Sequence, residues 1–190
     1  MKQDIIKILK NDGIGIIPTD TLYGIVGSAF SKKAVERIFE VKNRPKESAL
    51  IVLISSIKDL EKFGVSFDNK ILNKFWPAKV SVILEYQNKN LAKKFEYIHR
   101  GKNAIAFRLP NKKSLIELLK KTGPLVAPSA NPSGLVPASN IKEAKKYFGD
   151  NVDFYVAGGT IKSNEPSTLI KVNKDGEIQV LRGKLKSNGK

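Results

Sequence analysis

Short apolar runs of strand type alternate along this chain with segments whose apolar residues recur at helical spacing, and that alternation demands a sheet covered by helices. Ile14, Gly15, Ile16 and Ile17 form the first run, which stops at Pro18. Further strand-like runs occupy residues 50–54, 80–86, 104–109, 125–127, 154–156, 169–172 and 178–181. Between them lie amphipathic patterns. Ile5, Ile6, Ile8 and Leu9 predict a helix over residues 4–11, and Ser31 is an N-cap for a helix with Ala34, Val35, Ile38 and Phe39 on one face. Helical segments are expected at residues 56–63 and 68–75. Asn111 is placed to cap a helix carrying Leu115, Ile116, Leu118 and Leu119, which stops at Gly123-Pro124. Asn140 and Glu143 have capping-box spacing ahead of Ile141, Ala144, Tyr147 and Phe148. The strand-rich last third predicts a mixed α/β sheet rather than a purely parallel one. A length of 190 residues suits one domain, expected over residues 1–183, with a solvated basic tail at 184–190.

Composition removes several kinds of chemistry. There are no cysteines, which excludes disulfides, thiolate nucleophiles and thiolate metal sites. His99 is the only histidine, so a Ser-His-Asp hydrolase would depend on one residue in a charged stretch. No phosphate-binding Gly-x4-Gly-Lys-Ser/Thr pattern occurs, and no dense acidic cluster offers a magnesium cage, so no residue is assigned to metal. Without a signal-like block or an apolar run of membrane-spanning length, a cytoplasmic protein with no membrane partner is expected.

The formal charge is +16, from 34 Lys+Arg against 18 Asp+Glu. That excess has two readings: affinity for polyanions, or lysine written on every solvated face. Arginine is more selective. Only five positions carry it, Arg37, Arg44, Arg100, Arg108 and Arg182, and a planar fork is what gripping phosphate or carboxylate in two places requires.

Three loops after apolar runs concentrate small, hydroxyl and cationic residues, as sites at the strand ends of α/β sheets do. Thr19, Asp20 and Thr21 lie in the first, between Pro18 and Gly24; their hydroxyls suit a polar substrate or a locally bonded turn. In the second, Lys42 and Arg44 flank Asn43, and Pro45 restricts Arg44 to extended backbone. This pair is either a phosphate clamp or a solvated helix end. The third, Pro128 to Gly134, offers Ser129 and Asn131 on a backbone that a ligand can approach closely, or is an elaborate turn.

Taken in order, Pro18-Thr19-Asp20-Thr21-x-Tyr23-Gly24, Lys42-x-Arg44-Pro45, Ala106-x-Arg108-x-Pro110 and Ser129-Ala130-Asn131-x-Ser133-Gly134 resemble the motif set of the YrdC-like family. Pro166-Ser167-Thr168 and Leu181-Arg182-Gly183 extend the resemblance to nearly the whole chain, in the short single-domain form. It implies an open, twisted mixed sheet covered by helices, with a basic concave site. The implied activity is L-threonylcarbamoyladenylate synthesis from L-threonine, bicarbonate and ATP, a nucleotidyl transfer serving threonylcarbamoyladenosine at position 37 of tRNA. By the same resemblance, Thr21 and Arg108 would bind threonine. Lys42, Arg44, Ser129, Asn131, Ser167 and Arg182 would bind ATP, with Lys42 and Arg44 catalytic and Mg²⁺ carried by the phosphates. The labile adenylate would pass to a separate tRNA threonylcarbamoyl transferase.

Some positions depart from the family pattern. Asp20 stands where Glu is usual, Leu53 where many members carry a threonine-holding His, and Ala104 and Ala138 where hydroxyls serve ATP. Trp76-Pro77-Ala78-Lys79 replaces Trp-Pro-Gly-Pro. The competing reading is a non-catalytic protein of the same fold that uses the basic concavity for double-stranded RNA, in ribosome maturation for example.

Overall fold

A computed structural model of the chain describes residues 2–162, 165–173 and 177–185. The basic tail expected from residue 184 lies, from 186 onward, outside the described residues. Among the described residues nine strands form one open mixed sheet: β1 (Ile14–Pro18), β2 (Tyr23–Ser28), β3 (Ile51–Leu53), β4 (Val80–Glu85), β5 (Ala104–Arg108), β6 (Leu125–Val126), β7 (Phe154–Tyr155), β8 (Thr168–Val172) and β9 (Ile178–Arg182). Their spatial order is β7-β1-β2-β6-β3-β5-β4-β8-β9. Parallel pairing joins β1 to β7, β3 to β5 and β4 to β8, while the remaining neighbours are antiparallel.

Among the described residues seven α-helices accompany the strands: α1 (Lys2–Lys10), α2 (Lys32–Val41), α3 (Asn69–Leu72), α4 (Lys89–Lys94), α5 (Glu96–His99), α6 (Lys113–Thr122) and α7 (Ile141–Phe148). Ser31 caps α2 by accepting the Ala34 N–H, and Ala34, Val35, Ile38 and Phe39 are the face it buries. Strand residues alternate between two apolar layers as the pleat requires. Ile16, Val52 and Val126 join the larger cluster with α2, α7 and the Phe63–Phe95–Phe107 group, whereas Ile17, Leu53 and Leu125 join Leu9 of α1 with Leu115 and Leu119 of α6. Trp76 is a core anchor whose indole N–H donates to the Val80 carbonyl at 2.8 Å.

Four local expectations need correction. Tyr23 and Gly24, expected in the first loop, instead begin strand β2 over residues 23–28, hairpin-paired with β1 from Ile14↔Gly27 to Pro18↔Tyr23. Gly24 and Gly27 hide this strand from a propensity reading, but a Cβ at Gly27 would lie 3.1–3.2 Å from Ile14, Ala34 and Ile38, so glycine is what lets α2 sit on the strand. Asn111 does not cap α6. The N-cap is Lys112, which makes no side-chain cap bond and instead donates its ammonium to the Pro18 and Thr19 carbonyls at 3.0 and 3.1 Å. Residues 57–63 wind as a 3₁₀ helix, and only Asn69–Leu72 of the segment after it is α-helical. Glu143 misses the reciprocal half of the capping box. Asn140 accepts from the N–H groups of Lys142 and Glu143, but the Glu143 carboxylate reaches back one residue further, to the Ser139 N–H at 2.8 Å.

Candidate functional site

Helices α1 and α6 cover only part of their side of the sheet. Ile51 and Leu53 align with Ala106 and Arg108 across the parallel β3–β5 pair, and Ala104 and Ala106 align with Glu85 and Ile83 across β5–β4. One face therefore continues past the helices as an open floor over β5, β4, β8 and β9. That floor carries a cavity of about 640 Å³. The site is thus a concave sheet face rimmed by loops, rather than a crevice at strand ends alone.

Backbone pairing brings the motif loops to its rim. Gly24 of β2 bridges Ser129, the Ile25 N–H donates to Pro128 O at 3.0 Å, and the Ala130 N–H donates to Tyr23 O at 2.8 Å. The helix end at Lys42 has a Schellman geometry, with Asn43 at φ 47°, Asn43 N–H to Glu40 O at 2.9 Å and Arg44 N–H to Phe39 O at 2.9 Å. Asn in the left-handed position followed by Pro45 is the local signal for this stop, and it turns Arg44 out of the helix toward the cavity. Arg44 then donates to Ala49 O at 2.9 Å and Ser48 O at 3.4 Å.

Of the residues expected to form the site, Thr21, Arg44, Arg108, Ser129, Ser167 and Arg182 line this one cavity. Ser167 is nearly buried, shares a 2.8 Å hydroxyl contact with Ser81, and receives the Arg182 Nε–H and Nη2–H on its carbonyl at 3.2 and 3.1 Å. Ser81 was not expected from the sequence; its only signal is a hydroxyl inside an apolar strand. Burial weakens the hold of Arg44, Arg108 and Arg182 on their protons, and the Arg182 charge adds to this for both Arg44 and Arg108. For Arg108 the Asp20 carboxylate opposes both effects, so the least compensated positive charge of the three lies on the Arg44 and Arg182 side, ready to receive an anion.

Lys42 and Asn131 stand behind this wall rather than in it. Lys42 is 1% exposed, and its ammonium donates to Ser129 O at 2.5 Å and to Asn131 O. Its own carbonyl accepts the Ser133 N–H at 2.7 Å, so one residue fastens both ends of the loop. Burial and the Arg44 charge bring the Lys42 ammonium down to about 7. Asn131 accepts the Ser129 hydroxyl at 2.6 Å and donates to Pro132 O and Leu135 O, holding the loop's shape.

Arg108 lies against Asp20, Nη2 to Oδ1 3.0 Å, with both side chains almost wholly buried. This is charge contact without hydrogen-bond alignment: neither Asp20 oxygen nor the Arg108 Nε–H has a hydrogen-bond partner. The other two arginines serve the fold. Arg37 holds Asp153 through both carboxylate oxygens, and Arg100 pairs with Glu36 while its guanidinium sits 3.9 Å from the Phe39 ring centre. His99 is buried too. Its Nε2 meets Ala92 O at 2.9 Å and its Nδ1 accepts the Asn103 N–H at 3.3 Å, a helix-stitching role away from the cavity.

The departures fall unevenly on this geometry. Leu53 is fully buried in the apolar layer with Leu115 and Leu119, and Ala138 is buried in the larger core, so neither lines the cavity. Ala104 does line it, as an apolar part of the floor. Among the described residues no cluster of three or more His, Asp or Glu could hold a metal ion. Glu85, a carboxylate on the cavity wall, is paired with Lys171 at 2.7 Å.

The family model for Sua5, YciO and YrdC, described as telomere recombination, matches residues 7–183. The chain belongs to the Sua5/YciO/YrdC family. A Methanocaldococcus jannaschii relative is 32% identical over 181 residues, covering 93% of this chain and 83% of its own length. The threonylcarbamoyl-AMP synthase of Marinobacter nauticus is 30% identical over 165 residues, covering 84% and 85%. Among solved structures, P. abyssi Sua5 complexed with L-threonine superposes with a TM-score of 0.82 at 25% identity over 95% of this chain. This chain spans about half of that Sua5 chain, 53%. Family membership accounts for the ordered motif set and for its assembly around one cavity. No helix among the described residues is long and apolar enough to cross a membrane.

Proposed function

We propose that this chain is a threonylcarbamoyl-AMP synthase that acts as a nucleotidyltransferase on L-threonine, bicarbonate and ATP. The observation that carries the reading is the convergence of Arg44, Arg108 and Arg182 with the Thr21, Ser129 and Ser167 side of one cavity, in a chain of this family. Threonine's amine attacks bicarbonate, water leaves, and a carbamate forms. A carbamate oxygen then attacks the α-phosphorus of ATP, the bond to the bridging oxygen breaks, and pyrophosphate departs with the electron pair. No side-chain nucleophile is required, because positioning and charge stabilisation drive such transfers.

In this reading Arg108 and Thr21 face the amino acid, its carboxylate meeting the guanidinium. Arg44, Arg182, Ser129 and Ser167 face the nucleotide, and Lys42 and Asn131 contribute through the loop that presents Ser129. The wall supplies no cage for Mg²⁺, since Glu85 is paired with Lys171 and Asp20 is turned to Arg108. The ion is proposed to travel on the triphosphate with its own waters. The product is proposed to pass, in the cytoplasm, to a separate transferase that modifies tRNA.

Pyrophosphate release tests this directly. With L-threonine, bicarbonate and Mg-ATP, pyrophosphate and an adenylate of the threonylcarbamoyl mass are expected, with threonine preferred among the twenty amino acids. No pyrophosphate, together with tight duplex-RNA binding at physiological salt, would replace the enzyme with the RNA-binding reading. A clear preference for serine would remove Thr21 from the amino-acid subsite.

A further inference from the structure

The three cavity arginines are not equivalent. Arg44 gives its N–H groups to the neutral carbonyls of Ser48 and Ala49, and Arg182 gives its own to the carbonyl and hydroxyl of Ser167. Among the described residues, Arg108 alone of the three has a carboxylate against its guanidinium, that of Asp20 at 3.0 Å. Asp20 makes no hydrogen bond through either oxygen, and its side chain is 3% exposed, so neither local backbone bonding nor solvation explains its burial. Lys112, a second cation that the Asp20 charge acts on, donates to Pro18 O and Thr19 O and does not line the cavity, so within the cavity the Asp20 charge falls on Arg108. What Asp20 supplies is a charge.

We infer that Asp20 is a positioning and specificity residue that sorts the two substrates by charge. It cancels the net charge of Arg108 and leaves Arg44 and Arg182 as the two cavity arginines with no carboxylate against them among the described residues. The Arg44–Arg182 side then attracts polyphosphate. The Arg108 side, net neutral but still offering an unpartnered Nε–H, takes a zwitterionic amino acid of zero net charge. Without this cancellation three fully charged arginines would draw phosphate oxygens onto the amino-acid subsite, so the carboxylate acts against the wrong occupant as well as for the right one. The inference rests on the proposed synthase activity and names what divides its cavity.

The test uses opposite signs. Asp20→Asn removes the charge and keeps the shape, and binding of L-threonine and of inorganic pyrophosphate is measured by calorimetry at fixed ionic strength. Threonine is expected to weaken by about tenfold while pyrophosphate tightens by about threefold or more. A merely structural role weakens both, and either that result or two unchanged affinities overturns the inference. Because Asp20→Asn leaves Arg108 buried without a counter-charge, the neutral double variant Asp20→Asn/Arg108→Gln is measured beside it. It is expected to hold pyrophosphate within about threefold of the native value and to lose threonine. A tenfold loss of pyrophosphate would make Arg108 a phosphate ligand and overturn the inference, as would failure of both variants to fold. If the native protein itself binds no threonine and releases no pyrophosphate, the synthase reading fails; native binding of both, with variants shifting in parallel, sinks only the role of Asp20.

Discussion

The ammonium of Lys42 lies 2.5 Å from the carbonyl oxygen of Ser129, 87 residues away along the chain. With the Asn131 carbonyl and the return bond from Ser133, it fastens the end of α2 to the Ser129 loop. A lysine that looks from the sequence like a phosphate ligand is here the anchor of the loop that presents Ser129.

This placement makes stability depend on pH in a definite direction. Lys42 ordinarily titrates near 10.5 and in the folded chain near 7. Between those values the unfolded chain holds a proton that the folded chain lacks, so the cost of burying the Lys42 charge is full below about 7 and is relieved progressively as pH rises to about 10.5. Lys42→Met lacks this titration while losing the loop bonds at every pH. The difference in melting temperature between native and variant should therefore move in favour of the native protein from pH 7 to pH 10. A difference that stays constant would show that Lys42 keeps its ordinary protonation when buried.

Arg44→Lys keeps the charge beside the cavity and loses the planar fork. The expected cost is about 1.5–3 kcal/mol of transition-state stabilisation, on the order of a hundredfold in rate. Melting should fall far less than the rate, because the fold loses only the Ala49 and Ser48 carbonyl bonds, worth about 1 kcal/mol each. Steady-state synthesis and melting on one sample check both. Arg37→Gln is the control: its half-exposed pair with Asp153 is worth under about 1 kcal/mol, and its rate should match the native one.

Tyr23→Phe should destabilise the fold without touching the cations. The hydroxyl accepts the Gly158 N–H and donates to Gly159 O, each at 2.8 Å, and Phe leaves both backbone groups unpaired at about 1–3 kcal/mol in total. Chemical denaturation should show a lower midpoint with an unchanged slope. An unaltered midpoint would mean that water replaces the hydroxyl at no cost.

Periodicity alone determined much of the architecture: Ser31 as a cap, the buried face of α2, the runs at Ile14, Leu50, Val80 and Ala104, and a mixed sheet covered by helices. The scarcity of arginine and the ordered motifs marked Arg44, Arg108 and Arg182, which the fold gathers on one cavity. These signals are local, since caps, alternation and side-chain chemistry act over a few residues. Strand β2 escaped because Gly24 and Gly27 have no side-chain preference to display; their role is to admit Thr19, Ile14 and α2 at close range. Which polar residues face the cavity and which stand behind it was decided only by tertiary structure. Lys42 turns to the Ser129 and Asn131 carbonyls, Asp20 to Arg108, and Leu53 to the layer beneath α6, because each side chain answers to partners distant in the sequence. Burial sets which charges must be paired, and burial exists only once the sheet has closed against its helices.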